Sequence, residues 1–363
     1  MRVIALLGRR DHPTDGVVDY CNFLGEAQAR RGIQLELAQV PWAERGWPRA
    51  LRRLSHESAS WRGEWVLLQY TALSWSRRGF AVGALRALRR VKKHGARCVV
   101  VFHDAFTFDS PRLRDRIRQK IQNRTMRKLF EESERSVLTV APETLSWLPA
   151  DHHRATFIPI GANIPEYREP RTYDARQSPK IIAVFSVTGG DARAQEVSDI
   201  AVAARRAQMA AGPVLLDVFG RGAEDARDSL QRALEGSGVE LRVRGVIPAA
   251  EITATLASAH VSLCVRGLTT SHRGTSIAGI SCGLPVVGYG RPGDDPAIDA
   301  AGVRLAPWHD ADALAAELVR VLTDEQLWRE LHERCRRAQA EYFSWDAVAS
   351  RYEKLLATAE KPR

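Results

Sequence analysis

The feature of this 363-residue sequence that most limits its fold is the alternation of short apolar runs with longer amphipathic stretches. The apolar runs are nearly continuous, as in parallel strands that are buried on both faces. The stretches between them have helical periodicity, as in Ala81–Lys93. This pattern indicates repeated βαβ units and the α/β class. The predicted strands are Arg2–Leu7, Gln34–Ala38, Trp65–Gln69, Cys98–Phe102, Val137–Val140, Ile181–Val187, Val214–Phe219, Leu241–Val243, His260–Val265 and Pro285–Val287.

One stretch interrupts the alternation. From Ile164 to Lys180 the sequence is rich in proline and charge and shows little periodicity, which is typical of a linker. A chain of this length suits two domains of about 150–180 residues each. We therefore predict two consecutive Rossmann-like, doubly wound domains, residues 1–165 and residues 178–342.

The composition limits the cellular setting. No run approaches the roughly 18 apolar residues that span a bilayer, and the short apolar N-terminus fits a first buried strand better than a secretion signal. The five cysteines are scattered without a C-x-x-C pair, which favours a reducing compartment and disfavours a structural zinc site. We expect a cytoplasmic protein.

The net charge of +10 belongs to the first half of the chain. Residues 1–165 hold 28 Lys and Arg against 16 Asp and Glu, whereas the remainder holds 25 against 27. The most basic stretch is predicted to be helical, with its apolar residues near helical spacing: Leu113, Ile117, Ile121, Met126, Leu129 and Phe130. Its cations are Arg112, Arg114, Arg116, Arg118, Lys120, Arg124, Arg127 and Lys128.

Two interpretations of this basic helix stay open. Charge runs usually form a solvated helix face. The same cations could instead face an anionic membrane or an acidic, phosphate-bearing acceptor. No recognised nucleic-acid motif accompanies them, so nucleic acid is not an expected partner.

The segment from Ser271 to Gly290 carries the clearest chemistry. Arg273, Gly274 and Thr275 precede an apolar helix of small residues that ends before a strand. Glycine lets a ligand approach the backbone, and helix N-terminal N–H groups attract phosphate. Arginine adds a permanently charged bidentate donor. These residues suit a diphosphate, although a plain strand–loop–helix unit with an exposed arginine would look the same.

The same segment, Ser-x-Arg-Gly-Thr through Cys-Gly-Leu-Pro-Val-Val, resembles the donor-binding segment of family-4 retaining glycosyltransferases of the GT-B fold. Further stretches resemble that family in the correct order along nearly the whole chain: Pro13–Tyr20, Val100–Asp104, Ile158–Asn163, Gly220–Gly222, Gly245–Pro248 and Phe343–Trp345. The resemblance implies two domains facing a central cleft, the first binding the acceptor and the second the nucleotide-sugar. It also implies that residues 343–363 form a C-terminal helix crossing back to the first domain.

The resemblance also assigns candidate site residues. It implies that His103 contacts the donor sugar and that Arg273 and Arg193 clamp the diphosphate. Its other candidates are Gly274, Thr275, Gly190 and Val246 on the donor side, and Gly16 and Asp104 on the acceptor side. A structural histidine at position 103 and a helix N-cap at Asp104 are the plainer alternatives.

Two departures from the family concern the donor. The positions of its paired glutamates hold Thr270 and Ala278, so contacts to base, sugar and ribose do not carry over. The family's second cation near Arg193 is also missing. The sequence matches an Arg-Gly-Ser/Thr variant of the motif that occurs in part of the family.

The resemblance implies transfer of a hexose-type sugar from a UDP- or GDP-linked donor to a glycan, lipid-linked or other acceptor, with retention of configuration and without metal. Cell-envelope polysaccharide synthesis at the inner face of the membrane is the expected setting. A degenerate, non-catalytic GT-B protein and a sugar-nucleotide epimerase are the alternatives. Asp310 and Asp312 form a D-x-D pattern, but they stand where acidic residues cap a helix, so no metal site is predicted.

Overall fold

The computed structural model describes residues 1–10, 15–107, 113–167, 169, 178–190 and 192–357. These residues form two compact units. The described residues of Met1–Ile160 and Trp345–Arg363 form the first, and those of Gly161–Ser344 form the second. Pro13, Thr14, Arg112, Asp191 and most of the proline-rich stretch lie outside the described residues.

The first unit is a parallel six-stranded sheet with helices on both faces, in the strand order β2-β1-β3-β4-β5-β6. Its strands are β1 (Arg2–Leu7), β2 (Gln34–Gln39), β3 (Trp65–Tyr70), β4 (Arg97–Phe102), β5 (Arg135–Leu138) and β6 (Ala155–Phe157). Its helices before residue 160 are α1 (Gly16–Ala29), α2 (Trp42–Arg45), α3 (Trp47–Ser58), α4 (Val82–Lys93) and α5 (Leu113–Glu132).

Strand β3 shows why the apolar runs are continuous. All six of its residues are buried, and they alternate between two cores on opposite faces of the sheet. Trp65 and Leu67 join one core, whereas Val66, Leu68 and Tyr70 join the other. Because side chains alternate across a strand, a strand covered on both faces is apolar at nearly every position, and Gln69 is the one polar residue of β3.

The second unit is also a parallel six-stranded sheet, in the order β12-β11-β10-β7-β8-β9. Its strands are β7 (Lys180–Phe185), β8 (Val214–Phe219), β9 (Glu240–Val243), β10 (Val261–Leu268), β11 (Val286–Tyr289) and β12 (Arg304–Ala306). Its helices are α6 (Ala192–Ala211), α7 (Ala223–Leu234), α8 (Ala249–Ser258), α9 (Gly274–Ser281), α10 (Pro296–Ala301), α11 (Ala311–Thr323) and α12 (Glu325–Ala338).

The last helix, α13 (Trp345–Ala357), belongs to the first unit. A π-helical turn, Gln339–Phe343, precedes it. Tyr352 of α13 is fully buried beside α1, where the Tyr20 hydroxyl donates a hydrogen bond to the Tyr352 hydroxyl over 2.9 Å. A buried hydrogen bond and apolar packing therefore both hold α13 in the first unit.

The predicted α/β architecture of two doubly wound sheets is confirmed. The strand predicted at Val137–Val140 begins two residues earlier, as β5. The short edge strands β6 and β12 were not predicted, because three-residue strands carry little periodicity. None of the described helices is long and apolar enough to cross a membrane.

Candidate functional site

The topology of the second unit creates a crevice at one edge of its sheet. From β7 the chain proceeds outward to β8 and β9, and it then returns to place β10 on the other side of β7. The loops that follow β7 and β10 therefore leave the carboxyl edge in opposite directions. In open parallel sheets, ligands bind at such a switch point. Arg193 and Arg273 follow these two neighbouring strands.

Arg273 is the residue directly before α9, and its side chain makes no capping hydrogen bond to that helix. Its guanidinium lies against Gly267 instead. A Cβ built on Gly267, where φ is +68°, would lie 2.7 Å from Arg273 Nη2. Gly267 thus combines a left-handed backbone with a close approach to the guanidinium. The arginine is placed beside the carboxyl end of β10, as a phosphate-binding role requires.

Backbone hydrogen bonds anchor the loop that carries Arg273. Thr269 donates its backbone N–H to the carbonyl of Tyr289 over 2.7 Å, and Ser271 donates to the Asp295 carboxylate over 2.7 Å. Burial raises the pKa of Asp295, and its hydrogen bond from Ser271 opposes that shift. Asp295 also caps α10. These contacts tie the loop to the next strand and helix of the sheet.

Gly274 and Thr275 open α9, an apolar helix whose residues from Ser276 to Ser281 are buried. A Cβ on Gly274 would meet no atom within 4 Å, so packing within the protein does not explain the glycine. The first N–H groups of a helix have no carbonyl oxygen of a preceding helical turn to accept their hydrogen bonds. They carry the partial positive charge expected of an anion site.

Arg193 lies in the first turn of α6 and already has a carboxylate partner. Its Nη2 donates to Asp225 Oδ2 over 3.2 Å, and its Nη1 donates to the Asp225 carbonyl over 3.1 Å. The Asp225 side chain is 68% exposed, whereas that of Arg193 is 27% exposed. An anionic ligand at the crevice would compete with Asp225 for this guanidinium.

The loops after β7 and β8 pack closely through Gly222. A Cβ on Gly222, where φ is +75°, would lie 2.1 Å from the Val187 carbonyl oxygen. Gly190 also has a positive φ, +70°, but faces open space. Val246 is 75% exposed in the loop after β9, at the end of the sheet away from β10. The structure therefore places Gly190 near the switch point and Val246 two strands away from β7.

In the first unit, His103 follows the carboxyl end of β4 directly. Its Nε2 lies 2.7 Å from Gln69 Oε1, and the Gln69 amide nitrogen donates to the Leu67 carbonyl. Gln69 Oε1 can only accept, so the network assigns the proton to His103 Nε2 and leaves Nδ1 as an acceptor. Burial lowers the pKa of His103 to about 4, against a smaller opposing effect of Asp15. The imidazole is neutral at physiological pH.

An aromatic contact fixes the plane of the His103 ring. The Tyr20 ring meets it edge to face, with centroids 4.7 Å apart. Tyr20 is in turn held by its hydroxyl contact with Tyr352 and by the Trp345 ring at 5.2 Å. A histidine oriented by Gln69 on one side and Tyr20 on another has a fixed hydrogen-bonding direction.

Gly16 and Asp104 lie on the same edge of the first sheet. Gly16 is the first residue of α1, after the N-cap Asp15, whose carboxylate accepts hydrogen bonds from Val17 and Val18. Asp104 is exposed and accepts a 3.4 Å hydrogen bond from the Ala72 N–H. The N-cap alternative for Asp104 is wrong, because residues 105–107 are not helical.

Asp310 caps a helix. Its carboxylate accepts from the Ala313 N–H over 2.9 Å, and Asp312 pairs with Arg206. Among the described residues, no group of three or more His, Cys, Asp or Glu side chains is arranged to hold a metal ion. All five cysteines are free thiols.

Sequence reasoning missed Gly267 and Asp225. Gly267 is the second-last residue of β10, and its close contact with Arg273 is visible only once the loop is folded. Asp225 pairs with a residue 32 positions away on another helix. No local pattern in the sequence signals either contact.

No protein-family model matches the chain, and comparison with curated proteins finds no relative. Solved structures match along the whole chain. Sucrose-phosphate synthase from Thermosynechococcus elongatus is 19% identical, with a TM-score of 0.69 and 99% of each chain covered. Anabaena HepE in complex with UDP and glucose is 13% identical, with a TM-score of 0.64, covering 99% of this chain and 100% of its own.

A third match shows the breadth of the fold. A putative UDP-N-acetylglucosamine 2-epimerase from Listeria monocytogenes is 13% identical, with a TM-score of 0.64, covering 100% of this chain and 98% of its own. Identities this low relate the proteins by fold alone. With its two parallel six-stranded sheets and flanking helices, the chain has the GT-B fold.

Proposed function

We propose that this protein is a glycosyltransferase that moves a hexose-type sugar from a UDP- or GDP-linked donor to a glycan or lipid-linked acceptor. One observation carries the proposal: Arg193 and Arg273 follow the two neighbouring strands at the switch point of the second sheet. In a GT-B fold, two arginines and the first turn of α9 supply the positive charge that a sugar-linked diphosphate needs.

The proposal also assigns a role to each domain. Residues 178–342 bind the nucleotide-sugar, residues 1–165 bind the acceptor, and residues 343–363 complete the first domain. UDP is the preferred donor nucleotide, supported by the UDP bound in the structures of HepE and of a Staphylococcus aureus protein, TarM, which also matches this fold. GDP remains the second donor to test.

The reaction proceeds with retention and without metal. The bond between the anomeric carbon and the phosphate oxygen breaks, and its electron pair stays on the diphosphate. The acceptor oxygen attacks from the same face and gives its proton to that phosphate oxygen. Arg273, Arg193 and the N–H groups of α9 stabilise the growing charge on the leaving group. Neutral His103 accepts a hydrogen bond from a donor-sugar hydroxyl through Nδ1.

The proposed setting is cell-envelope polysaccharide synthesis, with the protein held peripherally at an anionic membrane through α5. The excess of cations in residues 1–165 supports this part. A sugar-nucleotide epimerase is the second candidate function, because the Listeria match and the Staphylococcus aureus MnaA structure with bound UDP share the fold.

Incubation with UDP-glucose, UDP-N-acetylglucosamine and GDP-mannose, without acceptor and in excess EDTA, tests the proposal. Slow release of free nucleotide is the expected result. Conversion of one sugar-nucleotide into its epimer would establish the second candidate. Absence of any turnover, together with absence of nucleotide binding, would contradict both activities and support the degenerate alternative. Activity that EDTA abolishes and Mg²⁺ restores would contradict the metal-free mechanism.

A further inference from the structure

The first half of helix α5 carries apolar residues on the wrong face for core packing. Its buried residues include Gln122, Met126 and Leu129. At 3.6 residues per turn, Leu113 and Ile117 lie about 180° away from these buried positions. Leu113 is 73% exposed and Ile117 is 48% exposed. The near-helical spacing predicted the helix, and the structure shows that these two apolar residues face away from the core.

Cations share this exposed face. Lys120 and Arg124 fall in the same stripe as Leu113 and Ile117, within about 60° around the helix, and both are exposed. Arg114 and Arg116 flank the stripe and are also exposed. Between Leu113 and Arg124 the only acid is Asp115, whose carboxylate is paired with Arg118 at 2.7 Å. Arg118 is therefore not part of the exposed cationic set.

A neighbouring segment, Ser76–Val82, packs on the buried side of α5, opposite this face. Gln122 of α5 donates a 2.9 Å hydrogen bond to the Gly79 carbonyl, and the Arg118 stem lies against Gly79. Next to this contact, Phe80 and Val82 expose 36% and 38% of their surface. Arg77 and Arg78 in the same segment are exposed as well.

Exposed apolar residues concentrate in this part of the molecule. Of the twelve large hydrophobic residues exposed among those the structure describes, six lie between positions 73 and 117: Leu73, Phe80, Val82, Phe106, Leu113 and Ile117. Exposed apolar residues that lie together mark an interaction site, and Leu113 and Ile117 lie together on one side of α5. Strands β3 and β4 end at the edge of the first sheet that also carries His103, and α5 is the helix that follows β4.

We propose that the exposed face of the first half of α5 (Leu113–Arg124) inserts into the interface of an anionic lipid bilayer. Apolar side chains interleaved with arginine and lysine suit this environment, because the former enter the acyl boundary while the latter meet lipid phosphates. A soluble polyanion such as RNA would use the cations but leave Leu113 and Ile117 without a function. The surface further identifies the acceptor as lipid-linked, a step that rests on the proposed transferase function.

Vesicle partitioning of the full-length protein tests the surface. Vesicles of phosphatidylcholine with about one-third phosphatidylglycerol are compared with pure phosphatidylcholine at low salt and at about 150 mM salt. The charge variant is Arg114→Gln, Arg116→Gln and Lys120→Gln, and its matched control is Arg205→Gln, Arg232→Gln and Arg329→Gln, three exposed cations of the second unit. The apolar variant is Leu113→Ser with Ile117→Ser, and its control is Met209→Ser, a residue 85% exposed.

The wild type is expected to bind anionic vesicles, and the charge variant to bind about 100-fold more weakly, from roughly 1 kcal/mol for each cation at the lipid surface. At low salt, the apolar variant is expected to bind anionic vesicles about tenfold more weakly than the wild type. At 150 mM salt, it is expected to lose binding completely. Both controls should bind as the wild type does. Failure of the wild type to bind anionic vesicles would overturn the proposal, as would an apolar variant indistinguishable from the wild type.

Two further measurements separate this inference from the transferase proposal. UDP affinity of the charge and apolar variants should equal that of the wild type, because the donor residues lie in the second unit. Vesicle binding without any nucleotide-sugar turnover would support the surface and contradict the transferase. Turnover with a water-soluble acceptor that vesicles do not accelerate would overturn the lipid-linked acceptor.

Discussion

At the scale of single residues, His103 makes a clear prediction about pH. Its pKa of about 4 in the folded protein lies below the usual 6.5. Between these values the unfolded chain binds a proton that the folded protein does not, so this histidine lowers the free energy of unfolding as pH falls below 6.5. Its stabilising contribution is complete above pH 6.5.

We expect His103→Gln to flatten the pH dependence of stability. Urea unfolding from pH 6.0 to pH 5.0 should show the wild type losing about 1 kcal/mol more than the variant, near the limit of 1.4 kcal/mol per pH unit for one proton. Other histidines are common to both proteins and cancel in the difference. If the free energy of unfolding of the wild type and of His103→Gln changed equally with pH, His103 would not be held neutral.

Arg273 allows a second prediction. Arg273→Ala should lower turnover about 10²–10³-fold, the scale for losing one charge-stabilising donor from an active site. Thermal stability should change little, since the loop is held by Thr269 and Ser271 instead. Near wild-type turnover would contradict the assignment to the diphosphate.

Gly267→Ala tests the placement of that guanidinium without removing it. The added Cβ would lie 2.7 Å from Arg273 Nη2. Gly236 has a similar φ, +69°, but faces open space, so Gly236→Ala carries the same backbone strain without displacing the arginine. Both variants should lose about 1–2 kcal/mol of stability, and only Gly267→Ala should lose turnover.

These residues also show where sequence reasoning ends. The position of Arg273 directly before a helix could be predicted from the glycine and small residues that follow it, because that pattern is local. The partners that orient Arg273 and His103 could not: Gly267 and Gln69 reach them only through the folded sheet. A hydrogen-bonding tautomer, like the one at His103, depends on such distant contacts.

At the scale of secondary-structure elements, the ion pair between α6 and α7 makes the next prediction. Asp225 holds Arg193 at 3.2 Å at the surface, a pair worth about 0–1 kcal/mol. Asp225→Asn should free the guanidinium for a diphosphate and tighten UDP binding by about two- to fivefold. Arg193→Ala should weaken UDP binding. Asp228→Asn removes an exposed carboxylate from the same helix and should leave UDP affinity unchanged.

Calorimetric titration with UDP checks this prediction. Equal affinities in wild type, Asp225→Asn and Arg193→Ala would remove Arg193 from the donor site. If Asp228→Asn tightened binding as much as Asp225→Asn, the effect would be a general loss of negative charge and not a release of Arg193.

The elements differ in how far the sequence predicts them. Strands β1 and β8 match their predicted bounds, because each is a mostly apolar run that ends directly before a glycine. Helix α5 was predicted in place, but the sequence did not assign its apolar residues to the core or to solvent. Hydrophobic spacing alone cannot separate Leu113 and Ile117, which face solvent, from Met126 and Leu129, which face the core.

At the scale of the whole molecule, the charge is divided between the two halves of the sequence. Residues 1–165 have a net charge of +12 and include the exposed cations of α5, whereas the remainder of the chain has a net charge of −2. Under the proposed function, the second unit binds an anionic donor although it has no net positive charge. We therefore expect the affinity for the donor to come from a few oriented groups, which are Arg193, Arg273 and the first N–H groups of α9.

This reliance on oriented groups leads to the last prediction. A ligand that binds only the folded state stabilises it by about 2.7 kcal/mol at a hundredfold excess over Kd. For a domain of this size, each kcal/mol raises Tm by about 2–4 °C. Saturating UDP should therefore raise the Tm of the wild type by about 5–10 °C, whereas uridine, which lacks the diphosphate, should have almost no effect. GDP and ADP in parallel identify the base. Arg273→Ala should abolish most of the UDP shift, and an equal shift from uridine would show that binding does not depend on the diphosphate.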